Sequence, residues 1–265
     1  MQKEHPAFYR NGLRRKPVSF LSAFIMLLFV INRTEGQVLN GANQYVEYHV
    51  GNLPFVISVP HDGSLEPANI PNRACNNPTT ARDIQTKSLA MQIDTSFFEM
   101  TGCHPHVIIC NLRRNKLDCN RNLEDGACGN PEAEQAWTEF QHFIDTARAL
   151  VNTTFDHSFY IDLHGHGHTI QRLELGYLLY GSELRKTDSI LNTPQYTSYS
   201  SIQKLVDDNV HAYTHAQLLR GEHALGILLG NAGYPAVPSI QITKERCENK
   251  FPISGQLFWR QPTIF

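Results

Sequence analysis

Phe159-Tyr160-Ile161-Asp162-Leu163-His164-Gly165-His166-Gly167-His168 passes directly from an apolar run to a row of imidazoles spaced by glycine. The apolar start, extended to Leu163, reads as a buried strand. The alternating glycines read as a loop whose backbone turns sharply and comes close to a ligand. In open α/β sheets the carboxyl ends of strands line the ligand crevice. One carboxylate and three imidazoles at such an end suit zinc or a similar borderline metal.

Two other segments share this arrangement. Pro54 to Val59 is an apolar run that ends at Pro60-His61, and His106 to Cys110 is a second apolar run followed by the charged segment Lys116 to Arg121. Helical signals alternate with these strands. Thr80-x-x-Asp83 resembles a capping box, with Leu89, Ile93, Phe97 and Met100 on one face and Gly102 as the stop. Pro131 opens a longer helix whose stripe is Trp137, Phe140, Ile144, Ala147 and Val151. Leu173 to Tyr180 reads as a fourth strand. A helix through Ile202, Leu205, Val206, Val210 and Tyr213 follows, then another over Glu222 to Asn231, and a short strand begins at Val237. The alternation predicts an α/β fold in a single domain, with a central mixed or largely parallel sheet flanked by helices.

His61 and His164 then stand at equivalent strand ends on distant parts of the chain. This suits a catalytic metal site, which gathers ligands from separate loops and leaves a position open. Asp83, at the start of a helix, is a candidate third ligand, with Glu66 as its rival on the His61 loop. Asp162 is a candidate for orienting an imidazole from behind. His166 and His168 are candidates for ligation, acid catalysis or hydrogen bonding to substrate. Arg121 or Arg114 is suited to hold a substrate carboxylate through paired hydrogen bonds, with Asp118 fixing the geometry, and Arg172 is a second candidate.

The chain has 265 residues and a net charge of −2, so nothing in its charge points to nucleic acid or an anionic membrane. Arg14-Arg15-Lys16 precedes the uncharged apolar run Phe20–Ile31, the pattern of a secretory signal peptide over residues 1–36. The run is short of the ~20 apolar residues of a membrane span. A membrane-anchored protein, with this segment uncleaved, is the alternative. Six cysteines occur without a C-x-x-C pair, which disfavours a zinc knot. Cys75 and Cys128, both in polar loop-like stretches, are the favoured disulfide. Asn152-Thr153-Thr154 is a glycosylation sequon. A G-x-S-x-G elbow, H-E-x-x-H, a Walker motif and a dinucleotide fingerprint are all absent from the sequence.

With these segments in hand, the chain resembles the N-formylglutamate amidohydrolase family, which is related in fold to the zinc carboxypeptidases and aspartoacylases. The matching pieces are I-S-V-P-H-D-G-S-L-x-P with I-P-N-R (57–73), A-R-D-I-Q-T (81–86), N-L-R-R-N-K-L-D-C-N-R (111–121), D-L-H-G-H-G-H with Q-R-L-E-L-G-Y (162–177) and Y-P-A-V-P-S (234–239). The resemblance implies metal-dependent hydrolysis of an amide bond next to a carboxylate. It implies zinc held by His61, Asp83 and His164, and a substrate-carboxylate arginine at Arg121. It runs from about residue 45 to 239, within an amidohydrolase-like domain over residues 37–249 that is followed by a divergent tail at 250–265. The family's general-base glutamate is not matched, since Gln241-Ile242 is followed by Thr243. Glu245, or else Glu248, is the expected substitute, with His166 as a second proton-transfer candidate; otherwise the base is missing. The rival readings are a non-catalytic secreted protein that binds carboxylates and a carboxypeptidase-like metallopeptidase.

Overall fold

β3 (Phe55–Val59) and β4 (His106–Cys110) are buried at every residue. They lie within a five-stranded sheet of order β1 (Val38–Asn40), β2 (Val46–His49), β4, β3, β5 (Phe159–Asp162). Parallel strands covered on both faces read as unbroken apolar runs, which is why these two were legible in the sequence. In the computed structural model of the chain, residues 36–240 are described. β3 pairs in parallel with β4 and with β5 (Phe159–Asp162), so all three deliver their carboxyl ends to one edge.

The sheet is mixed because β1 (Val38–Asn40) and β2 (Val46–His49) add antiparallel strands beyond β4. Neither strand was anticipated. Both are short: β2 does alternate, with Val46 and Tyr48 buried and Glu47 and His49 half-buried, but four residues are too few for the pattern to stand out.

Side chains alternate between the two faces of the sheet. Val56, Ile108 and Cys110 pack with Ala136, Phe140, Ile144, Ala147 and Val151. These last five belong to the helix Pro131–Thr154, which Asn130 caps by accepting the Ala133 N–H. Phe55, Ile57, Val59, Val107 and Ile109 pack on the opposite face against Ala90, Met91, Ile93 and Phe97 of α1 (Thr86–Thr101). Truncating a buried aromatic such as Phe140 to alanine costs about 3–5 kcal/mol in cores of this kind.

Several boundaries differ from expectation. α1 begins at Thr86, not at a capping box with Asp83, because Gln85 adopts a left-handed φ of 72° that breaks the helix. Met100 is 72% exposed and does not join the core, whereas Gly102 ends the helix in the left-handed conformation as expected. The strand expected over 173–180 is limited to β6 (Leu173–Glu174), which pairs in parallel with β7 (Ala236–Val237) in a separate small sheet. Leu178, at φ 59°, breaks the extended chain, and Tyr177 and Leu179 on either side of it enter a third apolar cluster with Leu191, Tyr196 and Leu219. The helix expected through Tyr213 covers only Gln203–Asp208 and leaves Val210 exposed, and the following one starts at Leu225.

Cys75 and Cys128 form a disulfide, with Cα atoms 5.7 Å apart. Cys103, Cys110 and Cys119 form no disulfide among the described residues, and the last two are buried. Among the described residues, no helix is long and apolar enough to cross a membrane. The expected signal segment at 1–36 and the tail at 250–265 lie outside the described residues, apart from Gly36 itself.

Candidate metal centre

His61 follows β3 after Pro60, and His164 follows β5 after Leu163. Ladder pairing sets Ser58 opposite Asp162, and the Leu163 N–H continues it to the Ser58 carbonyl. Two parallel strands in this register release their next residues at nearly the same level, so the two histidines emerge side by side. Their ring centroids are 4.8 Å apart. Asp83 is brought in by the segment before α1. Its N–H donates to the His61 carbonyl, and its own carbonyl accepts from the Thr86 N–H and Oγ1.

Three ligand-type atoms converge. His61 Nδ1 lies 3.1 Å from His164 Nδ1 and 3.2 Å from Asp83 Oδ2, and His164 Nδ1 lies 2.9 Å from the same Asp83 oxygen. Ligands about 2.05 Å from a tetrahedral zinc stand about 3.3 Å from one another, so the triangle is close to the right size. His61 is fully buried, Asp83 is 7% exposed and the His164 side chain 12%. Solvent therefore reaches the cluster from the side of His164 and Asp83.

The far nitrogens of both rings are held by carboxylates. His61 Nε2 is 2.7 Å from Asp118 Oδ1, and His164 Nε2 is 2.9 Å from Asp162 Oδ2. An ionised carboxylate only accepts, so each Nε2 carries the hydrogen, and a neutral ring turns a bare Nδ1 lone pair inward. The result is two lone pairs and a carboxylate oxygen facing one another with no hydrogen among them. Such a group repels itself unless a cation, a metal ion or a proton, lies within it. The carboxylate–histidine pairing is also the usual support of metal-bound imidazoles.

The supports are themselves anchored. Asp118 Oδ1 accepts from the Asn120 N–H at 3.1 Å, and its Oδ2 accepts from Arg114 Nε at 3.1 Å, with Arg73 Nη1 3.7 Å away. Arg114 also reaches Asp83 Oδ1 at 3.5 Å. Asp162 Oδ1 accepts from Ser58 Oγ at 2.5 Å, and Ser58 contacts Tyr160 Oη at 2.6 Å. Burial acts to raise the Asp118 carboxyl, but the His61 hydrogen bond and the Arg114 and Arg73 charges outweigh it and hold it well below the usual range. Burial likewise acts to raise Asp83, and the hydrogen bonds to His164 and His61 hold it far below. Burial acts to lower His164, but Asp162 and Asp83 together push it up to about 10. In the metal-free protein, then, His164 Nδ1 holds a proton toward Asp83, in the space a metal ion would take.

The other residues singled out from the sequence lie elsewhere or have other partners. Glu66 is exposed and bound to Arg113 and Asn115, so Asp83 and not Glu66 completes the triangle. Arg121 is exposed, and its carbonyl accepts from Trp137 Nε1. Arg172 lies 3.4 Å from Glu174, and its carbonyl pairs with His166 Nε2 at 2.7 Å. Glu245 and Glu248 lie outside the described residues. Sequence reasoning did not single out Arg73, Ser58, Tyr160 or Asn120. The only available signal for Asn120 was its place in the 111–121 run, and it stands 3.3 Å from His164 Nε2.

Comparisons with protein families, with curated proteins and with solved structures return no match for this chain.

Proposed function

We propose that the protein is a metal-dependent hydrolase of an amide bond adjacent to a carboxylate, of the N-formylglutamate amidohydrolase kind, with a zinc-carboxypeptidase-like fold. The observation that carries this reading is the inward-facing triangle of His61 Nδ1, Asp83 Oδ2 and His164 Nδ1, with both rings braced by carboxylates. Its donor set of two imidazoles and one carboxylate is that of a catalytic zinc site with an open position. A zinc-class ion there supplies Lewis-acid polarisation of a carbonyl and acidification of water.

The chain's own residues do the rest. Asp118 and Asp162 hold the two rings in the ligating tautomer. Arg114 is committed to Asp83 and Asp118 and Arg113 to Glu66, so holding the substrate carboxylate falls to the exposed Arg121 of the same run, which orients the reacting carbonyl. Glu245 is the proposed proton-transfer group. The Cys75–Cys128 disulfide supports a place in the secretory pathway.

The test uses the full chain loaded with zinc. We expect turnover of N-formyl or N-acyl acidic amino acids, falling at least about a hundredfold in His164→Ala and His61→Ala, since such a cation is worth several kcal/mol to the transition state. Glu245→Gln should lower kcat, and Arg121→Ala should raise KM. Binding of the substrate without turnover under saturating zinc would replace hydrolysis with the carboxylate-binding reading. Preference for a dipeptide over a formyl amino acid would make the protein a peptidase.

A further inference from the structure

A second group of ligand-type side chains stands on the loop that leaves the first centre. His166, His168 and Glu174 each offer one ligand atom, and these atoms lie within 4.8 Å of one another. We propose that these three residues form a second site for a borderline divalent metal such as zinc.

The hydrogen bonding around each residue favours ligation. His166 Nε2 lies 2.7 Å from the Arg172 carbonyl, which can only accept. Nε2 therefore carries the hydrogen and Nδ1 is the bare nitrogen. A backbone carbonyl behind a ligating imidazole is one of the usual supports of a metal-bound histidine. Among the described residues, the donor that Nδ1 meets is the His168 N–H, at a long 3.3 Å.

His168 adds the decisive observation. Its Nδ1 is buried and makes no hydrogen bond among the described residues, although Glu174 Oε1 is 3.2 Å away. The two atoms are close without being aligned as donor and acceptor. A shielded nitrogen facing a carboxylate oxygen in this way is costly as it stands and is satisfied by a cation between them. The two rings stack with centroids 4.7 Å apart, which keeps both on one side of Glu174. Arg172 Nε and Nη2 each donate to the same Glu174 oxygen at 3.4 Å, long hydrogen bonds that hold the carboxylate beside the His168 ring.

Two imidazoles with one carboxylate suit zinc, copper(II) or nickel over magnesium or calcium. All three residues are half-buried, whereas two members of the first centre are buried. The second site is thus the more open and the weaker of the two. Glu174 belongs to β6, which pairs with β7, so a bound ion ties the loop that follows His164 to the small sheet.

The experiment is equilibrium dialysis of the full chain against Zn²⁺ with metal analysis, repeated with Co²⁺ and visible absorption. Wild type is expected to hold two ions per chain at saturation. His168→Ala and Glu174→Gln should each lose one ion, with far-UV circular dichroism unchanged. His61→Ala should lose the other. Two ions retained in both His168→Ala and Glu174→Gln would overturn the proposal, as would a single ion in wild type that disappears in His61→Ala. A single ion in wild type that disappears in His168→Ala instead supports this site while removing the first. Should His168→Ala fail to fold, His166→Ala and Glu174→Gln decide the matter by the same count.

Discussion

Asp118→Asn exchanges an acceptor-only side chain for one with a single acceptor oxygen, in a fully buried place where both oxygens are needed. One oxygen faces His61 Nε2 at 2.7 Å and the Asn120 N–H at 3.1 Å, and the other faces Arg114 Nε at 3.1 Å. If the amide keeps its oxygen toward His61, its NH2 points at Arg114, leaving a buried donor without a partner at a cost of about 1–3 kcal/mol. If it turns over, the NH2 points at His61 Nε2. The ring hydrogen must then move to Nδ1, where it occupies the lone pair that a metal needs. Either way the imidazole loses the charged partner that fixes its orientation. Zinc affinity should fall about 10- to 100-fold, equivalent to about 1.4–2.7 kcal/mol. Competition against a chromophoric chelator measures this directly, alongside a thermal melt of the metal-free protein. Glu66→Gln is the control, since that exposed carboxylate pairs away from the triangle and should leave zinc affinity unaltered. Asp118→Asn protein that melts like wild type and binds zinc equally well would refute the idea that this carboxylate sets the tautomer of His61.

Four further outcomes follow from the geometry. His164 in the metal-free protein is raised from 6.5 to about 10, burial opposing and the Asp162 and Asp83 carboxylates prevailing. Its stabilising charge is thus fully present below about pH 6.5 and lost as pH rises through about 10, so the metal-free Tm should decline across that window; a flat Tm there contradicts the assignment. Over the same window zinc must displace that proton, so affinity should rise about tenfold per pH unit, with about one proton released in calorimetry across buffers of different ionisation enthalpy. Gly63→Ala places a Cβ against the backbone of Leu112 and Asn111, where no flexible side chain can yield. It should lower stability by about 1–3 kcal/mol or more, read by urea unfolding. Cys75→Ser opens a loop whose ends are 53 residues apart, and the chain-entropy relation puts the loss near ~4 kcal/mol, checked by Tm with and without reductant.

By itself, the sequence determined the central strands, the long helix and the strand ends that carry His61 and His164. Phe55–Val59 and His106–Cys110 are largely apolar runs, with Ser58 and His106 as their polar members, because they are covered on both faces, and Pro131 with the stripe to Val151 repeats at helical spacing for the face that meets the sheet. Only the tertiary structure decided that Asp83 and not Glu66 meets the two imidazoles. That choice depends on left-handed Gln85 and on hydrogen bonds from Asp83 to the His61 loop, neither of which has a periodic signature. The same holds for the placing of Asp118 behind His61 and for the inward turn of both Nδ1 atoms. Local pattern reports which face of an element is buried. It carries no record of which lone pair points where, because that is set by partners scores of residues away along the chain, brought close only when the sheet aligns its strand ends.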